Sequence, residues 1–212
     1  MENQEIRTFG RRHGKKLSAR KQTLLETVLP AFLPKNIKNT ENLILEIGFG
    51  NGEHVRELSI RNPESIIIGA EPFMNGVAAL LSAITDESTN EILDEYKNIR
   101  IWPDDVRKLL KDTKLLFNEI WILHPDPWPK AKHEKRRLLN SEFLELLGTK
   151  LSKNGQIIIG TDHYEYFDWI VNEVKKTALY ASFPPLSIIH TRYQEKNMAQ
   201  TITPKYLILT NQ

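Results

Sequence analysis

The chain has 212 residues, a formal net charge of +2 at pH 7 and a hydrophobic fraction of 40%, which fits one sizeable core with little left for a second domain. It has no cysteine, which excludes disulfides and thiolate metal sites, and its six histidines are scattered, so we expect no metal. No apolar stretch approaches the roughly 20 residues that span a bilayer, and the polar N-terminus is unlike a secretory signal, so we expect a cytoplasmic protein.

Residues 1–22 are rich in cations. The first 21 residues carry seven Lys or Arg against two Glu. Few apolar anchors predict a flexible basic arm over residues 1–22 and one domain over residues 23–212. Such an arm either binds the phosphate backbone of a nucleic acid or is a solvated terminus. Apolar residues at helical spacing over 24–29 then predict a packing helix that ends at Pro30.

Residues 42–52 predict a strand and a glycine-rich turn, as at the start of a nucleotide-binding βα unit. Gly48, Gly50 and Gly52 alternate, whereas a dinucleotide fingerprint needs its third glycine one residue later. Glu46 lies just before the turn, where a carboxylate suits a cationic ligand such as the sulfonium and amino groups of S-adenosylmethionine. The alternative is a tight turn without a ligand, followed by a helix from about residue 53.

Acids also follow the next two predicted strands. Glu71 ends the strand over 66–70, a little over 20 residues beyond the glycine turn. An acid there accepts hydrogen bonds from both ribose hydroxyls of a nucleotide, although it can also cap the next helix. Asp104 and Asp105 follow the strand over 98–102. Either one can bond an adenine amino group or cap the helix that begins near residue 106.

The strongest local signal is HPDPWPK, residues 124–130, which follows the apolar run over 120–123. Three prolines within five residues exclude both strand and helix, so this segment predicts a stiff loop at the carboxyl end of a strand. The loop carries an acid (Asp126), a flat aromatic (Trp128) and a cation (Lys130), and more cations follow. This combination favours chemistry on a nucleobase within a polyanion. The alternative is a proline-rich surface turn before a solvated basic helix.

Apolar residues between 138 and 147 predict an amphipathic helix whose first turn carries the cations of residues 135–137. Cations there oppose the helix dipole, and a broken local rule marks a candidate functional site. The strand over 156–161 ends in Asp162, which is either a helix cap or a substrate contact.

The C-terminal part predicts a helix over 164–179 and two β-rich stretches, 187–193 and 206–210. These two stretches could pair as an antiparallel hairpin at the sheet edge. Five successive strand-then-helix units predict a doubly wound, Rossmann-like α/β fold, mostly parallel, with acids at one edge of the sheet.

With these motifs in this order, the sequence resembles the tRNA (guanine-N(7))-methyltransferases of the bacterial single-chain type. The resemblance extends from about residue 7 to residue 209. Its most specific part is PDPWPKAKHEKRR, residues 125–137. The other matching segments are LEIGFGNGEH at 45–54, GAEPF at 69–73, TD at 161–162 and TRYQEK at 191–196.

The resemblance implies methyl transfer from S-adenosylmethionine to the variable-loop guanosine of tRNA, which gives 7-methylguanosine. It implies that the cofactor and reaction site is lined by Glu46, Gly48, Gly50, Gly52, Glu71, Asp105 and Asp126, with Asp126 as the catalytic residue. It favours Asp105 over Asp104. Substrate contacts are implied for Lys130, Asp162, Thr191, Arg192, Tyr193 and Gln194. RNA contacts are implied for Lys132, His133, Glu134, Lys135, Arg136 and Arg137. We expect no partner protein.

The sequence departs from the family in its C-terminal motif, usually Thr-Lys-Phe-Glu and here Thr191-Arg192-Tyr193-Gln194. Gln194 keeps a hydrogen-bond acceptor but loses the charge. The alternative functions are a methyltransferase of the same fold with another substrate, and a non-catalytic RNA-binding protein with a decayed cofactor site. The intact acids and glycines argue against the second.

Overall fold

A computed structural model describes residues 8–10, 12–39, 42–184 and 204–211 of the chain. Two compact units are present, residues 1–115 and residues 116–212. Each unit combines parallel strands with helices. The sequence-based boundary between an arm and a domain at residue 22 stays a prediction.

The first unit contains three strands and five α-helices in its described residues. Its strands are β1 (Asn42–Ile47), β2 (Ser65–Ala70) and β3 (Ile99–Trp102). Its helices are α1 (Ala19–Thr27), α2 (Leu29–Phe32), α3 (Glu53–Arg61), α4 (Met74–Ile84) and α5 (Val106–Asp112), with a 3-10 helix at Asp94–Tyr96. β2 pairs in parallel with both β1 and β3. Strand β1 is buried beyond its first residue, as expected for a parallel strand covered on both faces.

The second unit contains four strands and two α-helices in its described residues. Its strands are β4 (Phe117–Leu123), β5 (Leu151–Thr161), β6 (Tyr180–Ser182) and β7 (Lys205–Thr210). Its helices are α6 (Ser141–Gly148) and α7 (Tyr164–Val174), with a 3-10 helix at Ala131–Arg136. β4 and β5 are parallel, whereas β7 runs antiparallel to both β5 and β6.

The strand order is β3-β2-β1-β4-β5-β7-β6 in a seven-stranded sheet. The predicted fold class, a mostly parallel doubly wound sheet with an antiparallel C-terminal edge, is therefore confirmed. The stretch over 206–210 forms β7 as predicted. The predicted partner over 187–193 lies outside the described residues, and the strand that pairs with the outer side of β7 is β6, which the sequence did not indicate.

Three helix boundaries differ from the sequence-based prediction. Helix α7 ends at Val174 rather than near residue 179. Pro30 does not end a helix but occupies the first turn of α2, where its missing N–H costs nothing. Residues 135–137 do not begin the following helix. They lie at the end of the 3-10 helix, and α6 begins at Ser141. The predicted conflict with the helix dipole was therefore wrong.

Within the described ranges, no helix is both long and apolar enough to cross a membrane. The same ranges contain no group of three or more His, Cys, Asp or Glu side chains arranged to hold a metal ion.

Candidate active site

The glycine turn after β1 requires glycine for its backbone conformation. Gly48, Gly50 and Gly52 have φ angles of +77°, +59° and +83°, which L side chains rarely adopt. A Cβ added at Gly48 or Gly50 would meet no atom within 4 Å. The backbone of the turn is thus open at these two positions, where a ligand can approach it closely.

Helix α4 packs directly on this turn through Gly76. A Cβ at Gly76 would lie 2.2 Å from the carbonyl oxygen of Gly50. At Gly52, a Cβ would lie 2.6 Å from Cδ1 of Leu80, also on α4. Gly76 was not identified from the sequence as a site residue. The available signal was a glycine within the apolar segment that follows Glu71, since a glycine inside a helix usually has a packing or functional reason.

Glu46 is a buried acid near the end of β1, with a relative accessibility of 3%. Its Oε2 lies 3.1 Å from Nδ1 of His54, which is on the first turn of α3. His54 was not identified from the sequence as a site residue. The contact with His54 gives the buried Glu46 side chain, which lies beside the glycine turn, the partner that a buried polar group requires.

Glu71 follows β2 and braces the glycine turn. Its Oε2 accepts a hydrogen bond from the Gly50 N–H at 2.8 Å, and its Oε1 accepts one from the Phe73 N–H at 2.9 Å. The neighbouring bond from the Gly48 N–H to the Ala70 carbonyl, 2.8 Å, fixes the turn against β2. Since each carboxylate oxygen can accept more than one hydrogen bond, this bracing is compatible with the predicted ribose contact, which stays a prediction.

Asp105 has the capping role that the sequence left as one of two alternatives. It is the N-cap of α5, and its Oδ1 accepts from the Arg107 N–H at 3.0 Å. Its Oδ2 also accepts from the Thr8 hydroxyl at 2.8 Å and from Arg107 Nη2 at 2.7 Å. Burial raises the pKa of Asp105, but hydrogen bonds from Arg107 and Thr8 outweigh it and hold the pKa below its usual value. The adenine contact stays a prediction.

The described part of the N-terminal segment lies on the first unit. Arg12 pairs with Asp104 at 2.9 Å, and its carbonyl accepts from the Met74 N–H at 3.0 Å. The Arg20 guanidinium donates to the side chains of Ser82, Thr85 and Asn90 at the end of α4 and just beyond it. These bonds hold residues 12–20 on the surface of the first unit, and the lysines between them are exposed.

In the second unit, the loop over 124–130 is neither strand nor helix, as predicted. Two of its residues have left-handed backbone: His124 with φ of +49° and Trp128 with φ of +43°. Asp126 is exposed, whereas Trp128 is half-buried. A half-buried Trp128 can both pack against the protein and present part of its ring to a bound nucleobase.

The 3-10 helix after the loop packs on Trp128. The Arg136 guanidinium carbon lies 5.1 Å from the Trp128 ring centroid, and the His133 ring meets Trp128 edge-on with centroids 5.7 Å apart. Lys132 and Lys135 are exposed, as is Lys130. Residues 130–136 therefore include both cations that face solvent and side chains that contact the loop.

Asp162 lies beside His124, with 3.7 Å between Oδ1 and Nδ1. It does not cap α7. His163 is the N-cap, and its Nδ1 accepts from the Tyr166 N–H at 3.2 Å. The capping alternative for Asp162 was therefore wrong, while its substrate contact stays a prediction. Burial lowers the pKa of His124, and Asp162 opposes this effect.

The predicted substrate residues Thr191, Arg192, Tyr193 and Gln194 lie outside the described residues. Within the first unit, the structure brings Glu71 onto the glycine turn and Glu46 onto His54. Within the second unit, it brings Asp162 onto His124.

Comparison with known proteins gives relatives along the whole chain. Residues 40–204 match a family model described as "Putative methyltransferase". The chain is 34% identical to the tRNA (guanine-N(7)-)-methyltransferase of Caulobacter vibrioides, covering 97% of this chain and 95% of that protein. It is 38% identical to the protein of the same name from Neorickettsia sennetsu, covering 77% and 72%.

A solved structure with a similar fold is that of SMU.1697c from Streptococcus mutans in complex with SAH. Its TM-score is 0.52 at 14% sequence identity, covering 91% of this chain and 98% of that one. At this identity the likeness shows the fold alone.

Proposed function

Because the chain belongs to the tRNA (guanine-N(7)-)-methyltransferase family, we propose that it transfers a methyl group from S-adenosylmethionine to N7 of a guanosine in tRNA. The observation that carries the proposal is the 34% identity to the relative from Caulobacter vibrioides over 97% of the chain. The variable-loop guanosine is the proposed target, and 7-methylguanosine is the product. The proposal includes a cytoplasmic location, where tRNA is found, and no requirement for a partner protein.

The residues around the glycine turn fit S-adenosylmethionine. Gly48 and Gly50 leave open space above the backbone. Glu46 offers a buried carboxylate to a positively charged ligand, and Glu71 offers acceptors for ribose hydroxyls. When bound, S-adenosylmethionine supplies an electrophilic methyl group on a cationic sulfur. Glu46, Glu71 and the backbone of the turn would hold it.

Guanine needs no general base for this reaction. Its N7 carries an in-plane lone pair and no proton, so the bond from N7 to carbon forms as the bond from carbon to sulfur breaks. Positive charge passes from the sulfur to the purine, and no proton is transferred.

Asp126 has an electrostatic and positional role in the proposal. A carboxylate fixed near the guanine stabilises the cation that develops on the ring and accepts hydrogen bonds that orient the base. Asp126 is exposed on a loop stiffened by three prolines, so it is available to a bound nucleobase. Lys130 and Asp162 are proposed to contact the same substrate.

Exposed cations in both units are proposed to bind the phosphate backbone. Lys132 and Lys135 face solvent in the 3-10 helix that follows the loop. Lys15 and Lys16 face solvent on the N-terminal segment. Neutralising phosphates releases counterions, which is the main sequence-independent source of affinity for nucleic acids.

The test is methyl transfer from methyl-labelled S-adenosylmethionine to bulk tRNA, followed by digestion and nucleoside analysis. We expect the label in 7-methylguanosine, and no label in a matched transcript whose variable-loop guanosine is replaced by adenosine. Label in another nucleoside would instead indicate a methyltransferase with a different target. Binding of tRNA without any transfer would indicate a non-catalytic RNA-binding protein.

A further inference from the structure

Arg137 differs in its surroundings from the cations that precede it. Its relative accessibility is 7%, whereas Lys132 and Lys135 are exposed and Arg136 is half-buried. A side chain that binds phosphate in a partner must reach solvent. The buried position of Arg137 therefore argues against the RNA contact that the resemblance implied for all of residues 132–137.

The Arg137 guanidinium is directed at the backbone of the loop. Its Nε donates to the Pro127 carbonyl at 2.9 Å, and its Nη2 lies 3.5 Å from the Trp128 carbonyl. Its Nη1 is 3.6 Å from Oε1 of Glu134. The two carbonyls belong to the two residues that directly follow Asp126.

The Arg137 guanidinium packs against two aromatic rings of α7. Its central carbon lies 4.9 Å from the ring centroid of Trp169 and 5.4 Å from that of Tyr166. Cations within about 6 Å of a ring centroid are attracted by the ring, most strongly where water is excluded. Burying a charge is costly unless it is compensated, and here the rings, the two carbonyls and Glu134 compensate it together.

The loop depends on a donor from outside itself. Pro125, Pro127 and Pro129 have no N–H, so the segment has few donors to fix its own carbonyls. Trp128 is held at φ of +43°, a conformation that costs free energy for a residue other than glycine. A strained conformation of this kind persists only where its surroundings enforce it.

We propose that Arg137 is a positioning residue for methyl transfer: its guanidinium packs against the Tyr166 and Trp169 rings, holds the Pro127 and Trp128 carbonyls and thereby fixes Asp126. This inference rests on the proposed function. The planar guanidinium presents several donors in a fixed geometry and stacks on aromatic faces, whereas lysine offers one flexible point charge. Charge alone is therefore not sufficient at this position.

The experiment compares Arg137→Lys and Arg137→Ala with the wild type in single-turnover methylation at saturating tRNA. Arg61→Lys is the matched control, because it makes the same substitution at an exposed arginine on α3. We expect Arg137→Lys to lower turnover on the order of 10²-fold, as for a small misplacement of a reacting group. We expect tRNA affinity, its salt dependence and S-adenosylmethionine affinity to stay at wild-type values.

Chemical rescue distinguishes positioning from a loss of overall stability. Methylguanidinium added to Arg137→Ala should restore part of the turnover, whereas ammonium at the same ionic strength should not. Unchanged S-adenosylmethionine affinity by calorimetry shows that the variants are folded. If the Arg137 variants do not fold, Trp169→Leu removes one of the two rings that contact Arg137. This variant should lower turnover with tRNA affinity unchanged.

A turnover of Arg137→Lys equal to that of the Arg61→Lys control overturns the inference. A loss that appears only as weaker tRNA binding with a flatter salt dependence also overturns it, since that is the behaviour of a phosphate contact. Failure of the proposed function is distinct: the wild type itself would then form no 7-methylguanosine.

Discussion

Asp126 is the side chain on which the proposed chemistry depends most. Replacing it with asparagine keeps its size but removes the negative charge that stabilises the developing purine cation. We expect Asp126→Asn to lower turnover by about 10²–10³-fold, comparable to removal of one preorganised electrostatic interaction, with cofactor affinity much less affected. Single-turnover methylation of tRNA and calorimetry with S-adenosylmethionine measure the two effects separately.

The same reaction should be nearly independent of pH from about 6 to 9, because the proposed role of Asp126 involves no proton transfer. A wild-type rate that climbs tenfold per pH unit, with that climb absent in Asp126→Asn, would show that Asp126 takes part in a proton transfer and would refute the mechanism.

Glu46 tests the cofactor site independently of RNA. Glu46→Gln keeps a partner for His54 and removes only the charge from a buried position. We expect S-adenosylmethionine to bind on the order of 10- to 150-fold more weakly, the equivalent of a missing hydrogen bond to a charged group. Calorimetry measures this, with Glu64→Gln as the exposed control. Unchanged affinity would remove Glu46 from the proposed site.

We expect His124 to make the stability of the protein sensitive to mild acid. Burial lowers its pKa in the folded state, so the unfolded chain binds a proton more readily. The free energy of unfolding is therefore unaffected well above the unfolded pKa of about 6.5, and falls as the pH drops through that value toward the folded one. His124→Asn should reduce the fall between about pH 7.5 and 5.5, and asparagine tolerates the φ of +49°.

Urea unfolding at the two pH values measures this difference, and His13→Asn, at an exposed position, is the control. A fall in His124→Asn as large as in the wild type would assign the acid sensitivity to other groups.

For Gly76→Ala, the contact between α4 and the glycine turn predicts a loss of stability, whereas helix propensity alone predicts a gain. A glycine inside a helix is normally less stable than alanine by roughly 0.5–1 kcal/mol. At Gly76 the new Cβ would lie 2.2 Å from the Gly50 carbonyl oxygen, which is too close for α4 and the turn to keep their positions. We expect Gly76→Ala to destabilise the protein by about 1–3 kcal/mol and to weaken S-adenosylmethionine binding.

Chemical denaturation and calorimetry test both effects. Gly10→Ala is the control, since a Cβ there meets nothing within 4 Å. A Gly76→Ala protein that is more stable than wild type, with unchanged cofactor affinity, would show that the turn adjusts freely.

The whole molecule carries a net charge of only +2, so binding to a polyanion depends on where its cations lie. We expect Lys132→Ala with Lys135→Ala, and separately Lys15→Ala with Lys16→Ala, to weaken tRNA binding. The slope of log affinity against log salt should fall by about one for each lysine that no longer neutralises a phosphate. Point replacements are preferable to deletion of residues 1–21, since Arg12 and Arg20 are bonded to the first unit.

Filter binding of tRNA between low and moderate salt measures the slopes, with Lys35→Ala plus Lys153→Ala as a control pair of exposed lysines. If the two basic pairs keep the wild-type slope, those lysines are solvated surface and the electrostatic interpretation fails.

Turns and loops were predicted best, because a local rule applies to them. Alternating glycines predicted the turn after β1, where the structure has positive φ, and prolines without an N–H predicted the irregular loop after β4. The start of α6 was predicted wrongly, because apolar spacing alone did not show that Asn140 caps the helix and accepts from the Phe143 N–H.

The sequence by itself determined the fold class, the glycine turn, the acids at the strand ends and the proline-rich loop, because each follows from the chemistry of adjacent residues. Only the tertiary structure decided that Glu71 braces Gly50, that Thr8 bonds Asp105 and that Arg137 is buried against two aromatic rings while Lys135 faces water. Burial and hydrogen-bond partners are set by residues far apart in the chain, and neighbouring cations in one run have no local difference that would reveal which of them the folded protein encloses.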